Sequence, residues 1–223
     1  MKLTSRDLLS FFKSPPKGIT GVLIYGNDPM RVSDKRQQLL QSLLGSNADE
    51  EMRLARISRE ILKKETEQAI DLCKAQGFFP GERALLIEEA NETITGIIIK
   101  AVEAWKDGDA TIVVTAGSLK SSSSLRKLFE QKKNTYSVPI YDNPMTKFEV
   151  EKIIAKSGLQ NVTQDGFAQL LLIASQLQPG DFKQTVEKLA LYKLNDEKSV
   201  TYQDIISCAP ISNEADIDEV LNV

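Results

Sequence analysis

The run Val22-Leu-Ile-Tyr-Gly26 ends on a glycine ahead of a helical pattern. A strand, a glycine turn and a helix in that order is where a phosphate-binding loop, G-x-x-x-x-G-K-[ST], places its chemistry. Such a loop works because unhindered backbone N–H groups and one lysine charge surround a polyphosphate. Counted from Gly26, the second glycine falls on Arg31, the lysine on Val32, and only Ser33 keeps the expected type. Pro29 removes an N–H and Asp28 adds a carboxylate that repels phosphate. The turn reads as a degenerate phosphate loop that does not hold a triphosphate tightly, and no cofactor is expected.

Glu88 and Glu89 close a second apolar run, Ala84 to Ile87, in the manner of the acidic strand end that handles magnesium and water in phosphoryl transfer. Without a phosphate loop they have nothing to act on, and the plain expectation is a strand ending in solvated carboxylates. Thr115 ends another run where an ATPase keeps a polar residue near the γ-phosphate, yet threonine is commonplace at strand ends. The enzyme alternative is a P-loop-like ATPase or phosphotransferase with an unorthodox phosphate loop, using Glu88 or Glu89. Histidine is absent, which removes the commonest general base and the commonest zinc ligand. Cys73 and Cys208 form no C-x-x-C pair, so buried free thiols are expected and no metal site.

These residues need a scaffold, and the chain supplies its rhythm. Apolar runs rich in β-branched residues recur at Thr20 to Tyr25, Met52 to Ile57, Ala84 to Ile87, Ala110 to Thr115 and Tyr136 to Tyr141, with helical patterns between them. That spacing predicts a parallel α/β sheet over residues 1–142. Val32, Arg36, Leu39, Leu40, Leu43 and Leu44 lie at helical spacing ahead of Gly45, and Ser121 to Ser124 offer an N-cap to a helix with Leu125, Leu128 and Phe129 on one face. After Asp142-Asn143-Pro144 the strand signal stops. Helical patterns over Phe148 to Ala155, Phe167 to Leu177, Phe182 to Leu194 and Tyr202 to Ser207 predict a small all-helical domain over 143–212, with Pro179-Gly180-Asp181 separating two of its helices. Residues 213–223 read as a linker or the start of a further domain.

Composition limits the partners. Of 223 residues 41% are hydrophobic, enough for a real core, and a net charge of -3 gives no global field toward nucleic acid. No secretory h-region opens the chain, nor are 18 apolar residues consecutive anywhere, so a cytoplasmic protein with no membrane partner is expected.

The stretch Ala116-Gly-Ser-Leu-Lys-Ser-Ser-Ser-Ser-Leu-Arg-Lys-Leu-Phe-Glu130 closely resembles the L-K-x-S-S-x-L-R-K-L-F-E segment of bacterial DNA polymerase III delta subunits, especially the alphaproteobacterial kind. Leu23-Ile-Tyr-Gly26, Gly77-Phe-Phe-Pro-Gly-Glu-Arg83 and Gly180-Asp-Phe-Lys-Gln-Thr-Val-Glu-Lys-Leu-Ala-Leu-Tyr192 follow the same family's order. The resemblance implies an AAA+-like, P-loop-like α/β domain with a helical lid, and a non-catalytic clamp-loader subunit of the polymerase holoenzyme. Such a subunit binds the beta sliding clamp, helps open it for loading on primed DNA, and works beside gamma/tau and delta-prime subunits. The family's third, helical collar domain has no counterpart here, so ring assembly is in doubt and a monomer is expected in isolation.

Family members are similar to a wrench, with a short helix before the third strand that inserts an apolar pair into a clamp pocket. By position that pair is Phe78 and Phe79. Two adjacent rings on a helix point about 100° apart and cannot easily share one core, so at least one is expected to be exposed. Lys120, Arg126, Lys127, Lys132 and Lys133 cluster around one helix and are candidates for contact with DNA phosphates. Lys183 takes the place of a nucleotide-sensing arginine, and is expected to be a solvent-facing lysine.

Overall fold

Alternation of apolar side chains along five strands builds a sheet covered on both faces. In the computed structural model, which describes residues 1–3, 5–141 and 143–210, β1 (Gly21–Tyr25), β2 (Leu54–Ile57), β3 (Ala84–Ala90), β4 (Thr111–Ala116) and β5 (Thr135–Pro139) are all parallel, in the order β2-β3-β4-β1-β5. Strand side chains point alternately to opposite faces. Leu23, Leu85, Ile87, Ile112 and Val114 therefore enter one apolar layer, and Val22, Ile24, Leu86 and Val113 enter the other.

Four helices close the first layer: α3 (Arg59–Lys64), α4 (Gln68–Lys74), α5 (Thr95–Ala104) and α6 (Ser124–Gln131), through Leu62, Cys73, Ile98 and Phe129. The second is closed by α1 (Ser5–Lys13), which buries Phe11 and Phe12, and by α2 (Pro29–Leu44), which buries Val32, Leu39, Leu40 and Leu44. Ser123 is the residue of the serine run that caps α6, its hydroxyl accepting from the Arg126 N–H. Cys73 donates to the Ala110 carbonyl, and burial pushes its thiol up to about 11, so it is a packed thiol rather than a nucleophile.

The chain divides into two compact units, Met1–Asp142 and Asn143–Val223. In the second, α7 (Lys147–Ser157), α8 (Gln164–Gln176), α9 (Pro179–Tyr192) and α10 (Tyr202–Cys208) enclose Val150, Leu170, Ile173, Phe182, Val186, Leu189 and Ile205. Their ends follow local chemistry: Thr146 with Glu149 and Thr201 with Asp204 form capping boxes, and Gly158 leaves α7 at φ 75°. Pro179-Gly180-Asp181 does not separate helices as expected. It forms the first turn of α9, where a proline at N1 lacks an N–H that would have had no helical partner. Lys183, in the same helix, is half-buried rather than fully solvent-facing. The segment 213–223 lies outside the described residues. No described helix is long and apolar enough to cross a membrane.

Candidate functional site

A cleft of about 660 Å³ opens at the carboxyl ends of β1, β3 and β4, lined by Gly26, Asn27, Ser33, Arg36, Glu88 and Thr115 among others. This is where open parallel sheets bind ligands, outside the strand ends at the point where strand order reverses.

The turn after β1 and the start of α2, which border that cleft, carry charged groups with partners of their own. Asp28 is the N-cap of α2, and its Oδ1 accepts from the N–H groups of Met30 at 2.9 Å and Arg31 at 3.0 Å. Arg31, at the second-glycine position, lies with Nε 3.6 Å from Asp28 and donates through Nη1 to the Tyr141 carbonyl at 2.8 Å. Val32, in the lysine's place, packs into the second apolar layer. Gly26 is required by packing: a Cβ there would lie 2.6 Å from the Ile140 carbonyl oxygen.

Arg36 is the residue that sequence reading treats as one position on a helix face. Its Nη1 donates to Glu88 on β3, and its Nη2 donates to Ser33 Oγ at 3.0 Å. Glu88 is thus a part-exposed ion-pair partner, solvated as expected of a plain strand end but paired as well. Glu89 is exposed, with φ 53° beside an irregularity in the β3–β4 pairing, and its N–H donates to Thr115 Oγ1 at 3.3 Å. Among the described residues no group of three or more potential metal-ligating side chains exists.

A second feature lies away from the cleft. Phe78 is 94% exposed and Phe79 43%, with ring centroids 6.4 Å apart. The pair does not ride on a helix, contrary to expectation. Helix α4 ends at Lys74, and Ala75 leaves it with ψ 126°, so both rings sit on the bend that leads to β3. Pro80 disfavours helical backbone at Phe79, and Gly81 takes φ 128°. The expectation of at least one exposed ring stands, for a different reason: the bend carries them outward.

The five basic candidates do not act as one group. Arg126 donates to Glu130 at 2.8 Å and lies over the Tyr25 ring, and Lys132 donates to the Val102 carbonyl at 2.7 Å. Lys120, Lys127 and Lys133 are exposed. Only Arg126 and Lys127 lie within α6, while Lys120 precedes it and Lys132 and Lys133 follow.

No family model matches the sequence, and no curated protein matches it. Solved structures do. The Bacillus subtilis DNA clamp loader delta protein (YqeN) superposes with a TM-score of 0.57 at 13% identity, over 98% of this chain and 66% of that one. The chain therefore spans just under two thirds of that protein's length. The FIGL-1 AAA domain, solved with ADP, gives 0.54 at 15% identity over 97% of this chain and 85% of that one. The fold is that of AAA+ domains. Domain III of the Thermotoga maritima replication initiation protein DnaA gives the same TM-score at 15% identity, over 91% of this chain and 88% of that one. At such identities the likeness is one of fold.

The strand-turn-helix at Gly26, read from the sequence as a degenerate phosphate loop, borders this cleft. Sequence reading locates Gly26, Ser33, Glu88 and Thr115 there, and it identifies Arg31 and Val32 as the failed positions. It misses Arg36. The available signal is one charged side chain inside an otherwise apolar helical stripe, three residues after Ser33.

Proposed function

We propose that this chain is a non-catalytic, clamp-loader delta-like subunit that binds a beta sliding clamp through Phe78 and Phe79 and helps to open it. The observation that carries this reading is an almost fully exposed phenylalanine on a bend before β3 of an AAA+ fold whose phosphate loop has lost its lysine. Phe148 is also largely exposed, at 73%, but Phe78 and Phe79 are adjacent, and two rings side by side offer the apolar area that an anchor seats in a partner's pocket. The Leu-Lys-Ser-Ser-Ser-Ser-Leu-Arg-Lys-Leu-Phe-Glu stretch and the superposition on the Bacillus subtilis delta protein favour the same role.

In this reading gamma/tau and delta-prime subunits provide the ATP-driven motor, and primed DNA passes near the exposed Lys120, Lys127 and Lys133. A pull-down with the sliding clamp of the same organism tests it. Retention of the clamp is expected, and a clamp that passes through unretained refutes the proposal.

A further inference from the structure

Met52 combines a costly backbone conformation with a side chain that the fold does not use. Its φ is 49°, in the left-handed region, yet it is 71% exposed and joins none of the three apolar clusters. The turn that holds it has the two bonds of a Schellman motif: the Arg53 N–H donates to the Ala48 carbonyl at 2.8 Å, and the Met52 N–H to the Asp49 carbonyl at 3.1 Å. Met52 stands at the position of that motif which glycine ordinarily fills, because a Cβ crowds left-handed backbone. Of the other four non-glycine residues with positive φ among the described residues, three are asparagines, Asn134, Asn161 and Asn195, whose short polar side chains tolerate that region. A thioether offers no such local hydrogen bond.

The place of Met52 in the sheet gives the side chain a use. Strands β2 and β3 pair from Leu54 and Ala84 onward, and the Ala84 N–H donates to the Arg53 carbonyl at 2.9 Å. Met52 therefore leads into β2 at the same end of the sheet at which the bend carrying Phe78 and Phe79 leads into β3. Its neighbour Arg53 also donates to the Glu82 carbonyl, at the close of that bend. Met52 and the two rings stand on one rim, before the first residues of two adjacent strands.

We propose that Met52 is a further partner-binding residue, a third apolar contact beside Phe78 and Phe79, kept at a glycine position because the partner and not the fold uses its side chain. The inference rests on the clamp-binding reading, and the partner is the same sliding clamp. The surface it meets there is apolar, since an unbranched thioether brings no charge and adapts to an irregular apolar wall. Exposure of a single methionine would need no explanation by itself; the strained backbone beneath it does.

The test measures melting temperature and clamp affinity for Met52→Gly and Met52→Leu beside the unaltered protein. Met52→Gly removes the side chain and the strain together. It is expected to melt about 2 °C or more higher, even against the freedom that glycine adds to the unfolded chain, while binding the clamp about fivefold more weakly, as loss of a partly buried methionine would give. Met52→Leu keeps an apolar side chain on the same backbone, and should melt like the unaltered protein and hold clamp affinity within about twofold. A methionine that served only the fold would move neither in this way: its removal would lower the melting temperature and leave the clamp bound as before. Met52→Gly that binds the clamp as tightly as the unaltered protein, or that melts lower, overturns the inference and leaves the role of the phenylalanine pair untouched. Failure of the unaltered protein to bind the clamp overturns that role, and this inference with it.

Discussion

A Cβ at Gly81 would lie 3.3 Å from Nη1 of Arg53, because the bend carrying the two phenylalanines closes directly over that guanidinium. Arg53 in turn donates to the carbonyls of Leu44 at 2.7 Å and Glu82 at 3.0 Å and to the Glu51 carboxylate at 2.7 Å. At the other end of the bend, a Cβ at Gly77 would come 2.9 Å from Arg83 Cδ, and Arg83 donates to the Gly108 carbonyl at 2.8 Å. Arg53 pins the C-terminal end of the bend to the last turn of α2 through these bonds. Arg53→Ala should therefore destabilise the protein by about 1–3 kcal/mol, the cost of stranding part-buried acceptors. Urea denaturation measures it, and a loss under about 0.5 kcal/mol, the range of ordinary surface changes, would contradict the pinning.

Changing Phe78 and Phe79 together to Ala separates an exposed anchor from a core element. Clamp affinity should fall more than about tenfold, or at least about 2 kcal/mol, by calorimetric titration, while the melting temperature stays nearly constant. Buried phenylalanines cost about 3–5 kcal/mol each on truncation, so a collapsed melting temperature would place the rings in the fold. Unchanged stability with unchanged affinity would mean that the pair is exposed but idle.

Calorimetric titration of the unaltered protein with Mg-ATP should give no saturable heat at micromolar concentrations. The Asp28 carboxylate occupies the first N–H groups of α2, and Val32 brings no charge to the lysine's place. Saturable micromolar binding would revive the ATPase or phosphotransferase alternative.

The helical unit carries a pH-sensitive tie. The buried Lys193 ammonium pairs with Asp196 and lies 3.7 Å from Asp204. Lys193 holds the Asp196 carboxyl below the usual carboxylate range. Asp204 is also lowered, by the Thr201 backbone N–H first and by Lys193 to a lesser degree, and Lys193 itself is raised by Asp196. Depressed carboxylates contribute stability above their unfolded value near 3.9, and lose it as pH falls through their lower folded values. The raised lysine contributes fully below about 10.4 and loses its contribution as pH rises through its folded value. Lys193→Met should therefore lower the melting temperature at neutral pH and make its fall below about pH 4 shallower. Parallel pH–melting curves for the two proteins would exclude the tie.

Much of the scaffold was legible because it rests on local rules. β-branched runs separated by helical periodicity specify a parallel sheet, and the capping threonines Thr146, Thr163 and Thr201 mark helix starts within four residues of the groups they bond. The failure of the phosphate loop is equally local, since Asp28, Pro29, Arg31 and Val32 lie within five consecutive positions. The helix expected beneath Phe78 and Phe79 was wrong because Gly77, Pro80 and Gly81 outweigh an apolar pair when backbone conformation is chosen.

What the sequence by itself determined is the five strands, the helices of the second unit and the absence of a lysine from the phosphate loop, all settled by interactions among near neighbours. Only the tertiary structure decided that Arg36 reaches Glu88, that Gly26 must lack a side chain because Ile140 passes so close, and that the Phe78 ring faces solvent. The first two depend on strand order: β1 lies between β4 and β5, and β3 sits two places from β1, so residues far apart in the chain meet at the strand ends or not at all. Spacing along the chain carries no record of that order, because the sheet's pairing energy is realised only after the strands have assembled.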